Sequence, residues 1–284
     1  MFQTDQNKGD SEIACAKINL ALHVRKRLAN GYHDIETVFA FLDHGDLLFV
    51  KPRDEITLSI KGPFAKGLSD KDNLVLDAAR LLAAHTGEAV GASIFLDKRL
   101  PIASGIGGGS ADAAATLRLL NRYWRAGLSL SELAKLSAPL GADVPACVVN
   151  QTCLGKGIGQ DLMPLENGAL AGHFVLLVNP LIPVSTASIF RDWDGIDHGT
   201  LPAGGLLDIV LSGRNDLQGP AERLAPAISN ILSNLNETGA VVSRMSGSGA
   251  TCFALYETER QARDAEKMIN AELPDSWTMI GGLK

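Results

Sequence analysis

Between residues 13 and 24 the chain alternates, with Ala14, Ala16, Ile18, Leu20, Leu22 and Val24 on one face and Cys15, Lys17, Asn19, Ala21 and His23 on the other. A period of two predicts a strand, whose side chains point to opposite faces in turn. The second face sets Lys17 and Asn19 side by side, where a strand presents polar groups to a cleft. A Gly31-Tyr32-His33 turn follows, then apolar strands at 37–42, 47–51 and 92–97. Leu74, Ala78, Leu81 and Leu82 recur at helical spacing and predict a helix over 74–85. Ser129 or Ser131 caps a second helix running to about residue 139, Gly141 stops it, and Asp143-Val144-Pro145 opens a third. From about residue 150, Gly155, Gly157 and Gly159 read as loops. Strands at 174–178, 240–245 and 251–256 and helices at 205–212, 220–235 and 257–271 then predict an α+β half. These patterns divide the chain into a polar tail at 1–10 and domains at 11–165 and 166–284.

The segment Pro101-Ile102-Ala103-Ser104-Gly105-Ile106-Gly107-Gly108-Gly109-Ser110-Ala111 runs directly into a helical pattern on Ala113, Leu117, Leu120 and Trp124, with Ser110 as its expected N-cap and Asp112 in its first turn. Glycines feeding a helix let backbone N–H groups approach a phosphate without interference from Cβ, and the helix start adds partial positive charge. A tight structural turn would also collect glycines, but the continuation into a helix favours the phosphate reading. The segment is neither a GxxxxGK[ST] loop nor a GxGxxG turn within a βαβ unit.

Composition removes other classes. At 284 residues, 46% hydrophobic and 20% charged, the chain can bury a core and is not a disordered one. Its net charge of −6 argues against a nucleic-acid-coating protein, whose phosphate contacts need a basic surface. Four cysteines without a CxxC pair, and no apolar leader or run of membrane length, point to a reduced cytoplasmic setting. Glycine, 29 residues, is in excess, and its placement carries the chemistry.

Taken singly, each chemical side chain has a plainer reading. Lys17 fits a snorkelling surface lysine, Asp143 an N-cap, Phe190 a core aromatic, and Tyr32-His33 a surface turn. The segment Met245-Ser246-Gly247-Ser248-Gly249-Ala250-Thr251 fits a tight inter-strand turn as well as a backbone wall against phosphates. Together, a lysine and an aspartate beside a phosphate loop supply what phosphoryl transfer asks of a protein: a carboxylate at the acceptor hydroxyl and a cation to steady developing charge.

Ala16-Lys17-Ile18-Asn19-Leu20, residues 101–115 and Ser246-Gly247-Ser248-Gly249-Ala250-Thr251 together resemble the galactokinase, homoserine kinase, mevalonate kinase and phosphomevalonate kinase (GHMP) superfamily. Gly31-Tyr32-His33, Leu42-Asp43 and Leu140-Gly141-Ala142-Asp143-Val144-Pro145 place the resemblance on the branch whose acceptor carries a cytidine diphosphate. The resemblance implies a two-lobed α+β fold, the N-terminal lobe with a left-handed βαβ unit, the C-terminal lobe ferredoxin-like, and the active site in the cleft between them. It implies ATP as donor, with Mg²⁺, and the 2-hydroxyl of 4-(cytidine 5′-diphospho)-2-C-methyl-D-erythritol as acceptor. Lys17 and Asp143 would be the catalytic pair, and Pro101 to Ala111 would hold ATP. Asn19, Tyr32, His33, Phe190, Thr186, Gly247 and Ser248 would hold the substrate, with Tyr32, His33 and Phe190 on the cytosine. No carboxylate other than Asp143 is placed to bind the metal, so ATP oxygens, water and the Ser110 hydroxyl, through Mg-ATP, are its expected ligands.

Two positions depart from the family pattern. Ala111 stands where a second serine is common, and Ala250 where many members have proline. Neither removes a backbone N–H donor. A homoserine- or mevalonate-type kinase and a non-catalytic nucleotide-binding module are the competing readings. Gly31-Tyr32-His33 speaks against the first, since an acceptor without a nucleobase has no use for a stacking pair. Lys17 and Asp143 speak against the second. No nucleic-acid or membrane partner is expected, and monomer and homodimer both remain open.

Overall fold

The computed structural model describes residues 11–87, 91–166 and 168–284; the polar stretch 1–10 lies outside them. The chain forms two compact units, one of residues 11–16, 45–100 and 108–150, the other of 17–44, 101–107 and 151–284. Two long paired strands, β1 (Ser11–Arg27) and β2 (His33–Lys51), contribute residues to both. The alternation predicted for β1 is present, yet both of its faces are buried from Ala14 to Val24, Lys17 and Asn19 included. β2 is continuous where two strands are predicted. Gly45 does not turn the chain: a Cβ there would collide with the Ala14 carbonyl, so glycine permits close approach of the two strands.

In the first unit, β3 (Ile56–Lys61) runs parallel to β4 (Ala92–Asp97), with α1 (Leu74–Thr86) between them in sequence. Parallel neighbours need such a crossover. β4 also pairs antiparallel with Leu47–Lys51 of β2. α1 starts where Asn73 accepts the Val75 N–H at 3.0 Å, which satisfies one of its orphan donors. α2 (Gly108–Tyr123) packs on α1 and on α4 (Val144–Val149), and α3 (Leu130–Ser137) also packs on α4. Ser129, not Ser131, caps α3, in a reciprocal box with Glu132. α2 begins two residues before Ser110, which is therefore inside the helix rather than its cap, and Asp112 lies beyond the first turn.

The second unit pairs Ile35–Phe39 of β2 with β5 (Cys153–Gly157), which turns back into β6 (Asp161–Pro164). The glycine-broken loop predicted here is thus a hairpin: ladders on both sides of β5 outweigh the weak strand preference of its glycines. A second sheet follows, in the spatial order β10 (Trp277–Gly282), β7 (Phe174–Asn179), β9 (Cys252–Tyr256), β8 (Val242–Met245), antiparallel throughout. Between β7 and β8 lie α5 (Thr186–Arg191), α6 (Leu206–Ser212), α7 (Gln218–Leu224) and α8 (Ala227–Asn236); α9 (Glu259–Glu272) lies between β9 and β10. This is the β-α-β-β-α-β, ferredoxin-like arrangement. The single helix predicted over 220–235 is two, because Pro226 disfavours helical backbone at Ala225, whose φ and ψ are −134° and 83°. Leu176, Val178, Ile228, Ile231, Leu235, Tyr256 and Ile269 are among the buried side chains of its core, each aliphatic one contributing about 1.5–3 kcal/mol. Among the described residues no helix is long and apolar enough to cross a membrane.

Candidate active site

The glycine loop of the second unit is held by its carbonyls. Thr251 N–H donates to the Ser104 carbonyl at 3.1 Å, the Ser246 hydroxyl to that of Gly105 at 3.0 Å, and Lys17 N–H to that of Ile106 at 3.0 Å. Three consecutive carbonyls are thereby turned toward β1 and the 246–251 turn. Ala103, Gly105 and Gly107 have φ of 51°, 77° and 68°, an alternation of left-handed residues that gathers N–H groups into an anion-binding concavity. Among the described residues no acceptor pairs with the N–H groups of Gly105, Ile106 or Gly107. Gly105 cannot be replaced, since a Cβ would sit 2.5 Å from the Ser246 carbonyl oxygen. The second small-residue turn is therefore the support of the first.

Lys17 is buried on β1 and donates from Nζ to Asn19 Oδ1 at 3.1 Å, lying 5.2 Å over the Phe39 ring. Asn19 in turn donates from Nδ2 to Thr37 Oγ1 at 2.7 Å, and its N–H bonds to Ser246 Oγ at 3.1 Å. The two polar residues read as neighbours on one strand face are thus joined by a hydrogen bond. Thr37 is the member that the sequence did not announce.

A second cluster in this unit gathers His33, Phe190 and Trp193. The His33 and Phe190 rings are 4.9 Å apart at 35°, and Trp193 meets His33 edge-on at 5.7 Å. Tyr32, 57% exposed, keeps its ring open to solvent. Thr186 and Ser248 share a hydrogen bond of 2.8 Å between hydroxyls, and Gly247 lies against the Gly105 carbonyl.

In the first unit, Gly108 to Ala111 form the start of α2, where the first four N–H groups of a helix lack partners within it. Gly109 and Ser110 are accessible and Ala111 is buried. Asp143 occupies the N-cap position of α4, but its side chain makes no capping bond. The helix start therefore holds by position, without the side-chain bond of a cap.

Residues 73–151 match the family described as GHMP kinases N terminal domain, and residues 206–275 the one described as GHMP kinases C terminal. The 4-diphosphocytidyl-2-C-methyl-D-erythritol kinase of Rhizorhabdus wittichii is 48% identical over 96% of this chain and 94% of its own length. The protein of that description from Sphingopyxis alaskensis is 49% identical over 96% and 98%. The chain belongs to the GHMP kinases, on the 4-diphosphocytidyl-2-C-methyl-D-erythritol kinase branch. A crystal structure of a 4-(cytidine 5′-diphospho)-2C-methyl-D-erythritol kinase superposes with a TM-score of 0.80 at 33% identity, covering 96% of this chain and 99% of that one.

In this kinase Ala111, which departs from the family pattern, faces the interior at 2% exposure. The kinase also carries a polar device that motif reading passes over. In the first unit Lys98 Nζ pairs with Asp46 Oδ2 at 2.5 Å and with Asp112 Oδ2 at 2.7 Å, and Asp46 Oδ1 accepts the N–H groups of Arg99 and Leu100. One buried lysine thus fastens the chain just before residue 101 to α2 just after the glycines.

Proposed function

We infer that the chain transfers the γ-phosphoryl group of ATP to the 2-hydroxyl of 4-(cytidine 5′-diphospho)-2-C-methyl-D-erythritol, giving the 2-phosphate and ADP in the non-mevalonate route to isoprenoid precursors. The observation that carries this is the 48–49% identity, over 96% of the chain, to relatives described by that activity. The family matches at 73–151 and 206–275 support an N-terminal and a C-terminal part, for which 11–165 and 166–284 are the proposed bounds.

In this reading Pro101 to Ala111 bind the ATP phosphates, the open N–H groups of Gly105, Ile106 and Gly107 and the start of α2 supplying donors. Asp143 takes the proton of the acceptor hydroxyl as its oxygen bonds to the γ-phosphorus. The bond from that phosphorus to the bridging oxygen then breaks, and ADP leaves. Lys17, oriented by Asn19, steadies the charge that develops. Tyr32, His33 and Phe190 hold the cytosine, with Thr186, Gly247 and Ser248 along the rest of the substrate. A magnesium ion arriving with ATP supplies neutralisation of phosphate charge. That ion would keep phosphate and water oxygens, with the Ser110 hydroxyl as its protein ligand, because the Asp112 carboxyl is taken up by Lys98. The buried thiols of Cys153 and Cys252 support a reducing, cytoplasmic setting.

A coupled ADP-release assay offering the cytidyl substrate, homoserine and mevalonate in parallel tests the reading. Release with the cytidyl substrate alone is expected; release with none of them favours a binding module. Asp143→Asn should lower kcat about 10²–10⁴-fold with ATP binding nearly intact. A variant keeping more than a tenth of wild-type turnover removes Asp143 from the chemistry.

A further inference from the structure

His33 is held in one protonation state by a neighbour outside every motif above. Its Nε2 accepts a hydrogen bond from Arg27 Nε at 3.3 Å, while Arg27 Nη2 donates to the Arg191 carbonyl at 3.3 Å. A guanidinium has only donors and does not lose its charge in proteins. The ring nitrogen facing it must therefore present a lone pair, and the proton of a neutral ring must sit on Nδ1. Burial first, and then the charge of Arg27, hold the ring below its ordinary pKa of 6.5. The ring is neutral at pH 7, and among the described residues nothing pairs with Nδ1. Phe190 and Trp193 fix its plane.

We propose that Arg27 is a specificity-determining residue that, by fixing the His33 tautomer, makes His33 a hydrogen-bond donor at Nδ1 and so selects cytosine over uracil. The proposal rests on the cytidyl reading above. N3 of cytosine is an acceptor and matches an N–H donor; N3 of uracil carries a hydrogen and meets Nδ1–H donor against donor. Arg27 touches no substrate in this scheme and acts only through the imidazole.

Arg27 is exposed, so its substitution leaves the core intact. ¹⁵N NMR of the histidine ring should show the Nδ1–H tautomer in wild type and in Arg27→Lys. In Arg27→Glu, whose carboxylate only accepts, the proton of the neutral ring should move to Nε2, leaving Nδ1 an acceptor. In parallel, kcat/KM is measured for the cytidine and uridine forms of the diphospho-linked substrate. Wild type and Arg27→Lys should prefer cytidine, and Arg27→Glu should lose about tenfold or more of that preference, the scale of one mismatched buried polar contact. A wild-type ring protonated on Nε2 overturns the tautomer assignment. A switched tautomer with an unchanged preference overturns the specificity role. A wild type that phosphorylates neither form overturns the proposal together with the cytidyl reading, and is told apart from the other two failures by that absence of turnover.

Discussion

Two lysines, one in each unit, are equally buried at 3% exposure and are held by opposite chemistry. Lys98 sits between two carboxylates; Lys17 is oriented by an amide oxygen and an aromatic face. A carboxylate brings a full opposite charge to an ammonium, whereas an amide oxygen and a ring act on it through a dipole and a quadrupole and so fix its direction. Burial alone therefore says nothing about role. The first arrangement ties separate segments of one unit together, and the second sets the direction of an ammonium on β1.

The sharpest way to break this contrast is to remove each ammonium in turn. Lys17→Met should lower kcat about 10²–10⁴-fold, on the scale of removing a positioned catalytic group, with its melting temperature close to that of wild type. Should kcat be unchanged, Lys17 reverts to a structural lysine. Lys98→Met strands two buried carboxylates, and breaking a buried pair of this kind costs about 3–5 kcal/mol. Urea unfolding should show that loss. If the two variants lose stability equally, the distinction between the lysines collapses.

The Lys98 cluster also carries its own pH dependence. Two carboxylates around one ammonium leave a buried excess of one negative charge unless one carboxyl takes a proton. Asp46 has both oxygens bonded, while Asp112 Oδ1 has no partner among the described residues, so the proton goes to Asp112. Burial, with help from Asp46 and against Lys98, pushes its pKa from the ordinary 3.8 up to about 7. A folded-state pKa above the unfolded one favours the fold below the lower value, and that advantage is lost as pH rises through the higher. Thermal melts should show wild type losing this contribution between about pH 4 and 7. Asp112→Asn, with nothing to titrate, should be flatter across that window; parallel profiles would place the proton elsewhere.

What the sequence disclosed, and what it hid, follows the range of the forces involved. β4, α1 and the glycine loop rest on local periodicity and local backbone demands, and they lie where the pattern puts them. β3 carries its own alternation of Ile56, Leu58 and Ile60, short enough to pass as a loop. The β5–β6 hairpin has no such signal, because its pairing with Ile35–Phe39 lies more than a hundred residues away in the chain. The same holds in the site. Lys17 and Asn19 are neighbours on a strand and readable as such, whereas Asp46 and Lys98 meet across 52 positions and Thr37 meets Asn19 across 18. Ser110 and Asp112 fit cap and first turn only for a helix that starts after the glycines, but α2 begins within them.

Thr37 supplies the finest test of the contrast, through the direction of its hydrogen bonds. Its hydroxyl proton is committed to the Ala21 carbonyl at 2.7 Å, so its oxygen can only accept, and it accepts from Asn19 Nδ2. That fixes the amide with Oδ1 toward Lys17. Thr37→Val keeps the shape but leaves a buried N–H without a partner, a cost of about 1–3 kcal/mol, and frees the amide to turn. The expected result is a fall in kcat of about tenfold with KM for ATP little changed, and recovery in Thr37→Ser, which restores the acceptor. A Thr37→Val enzyme with normal kcat but the full stability loss would mean that Asn19 is held without Thr37. Asn19 would then orient Lys17 without help from the Thr37 hydroxyl.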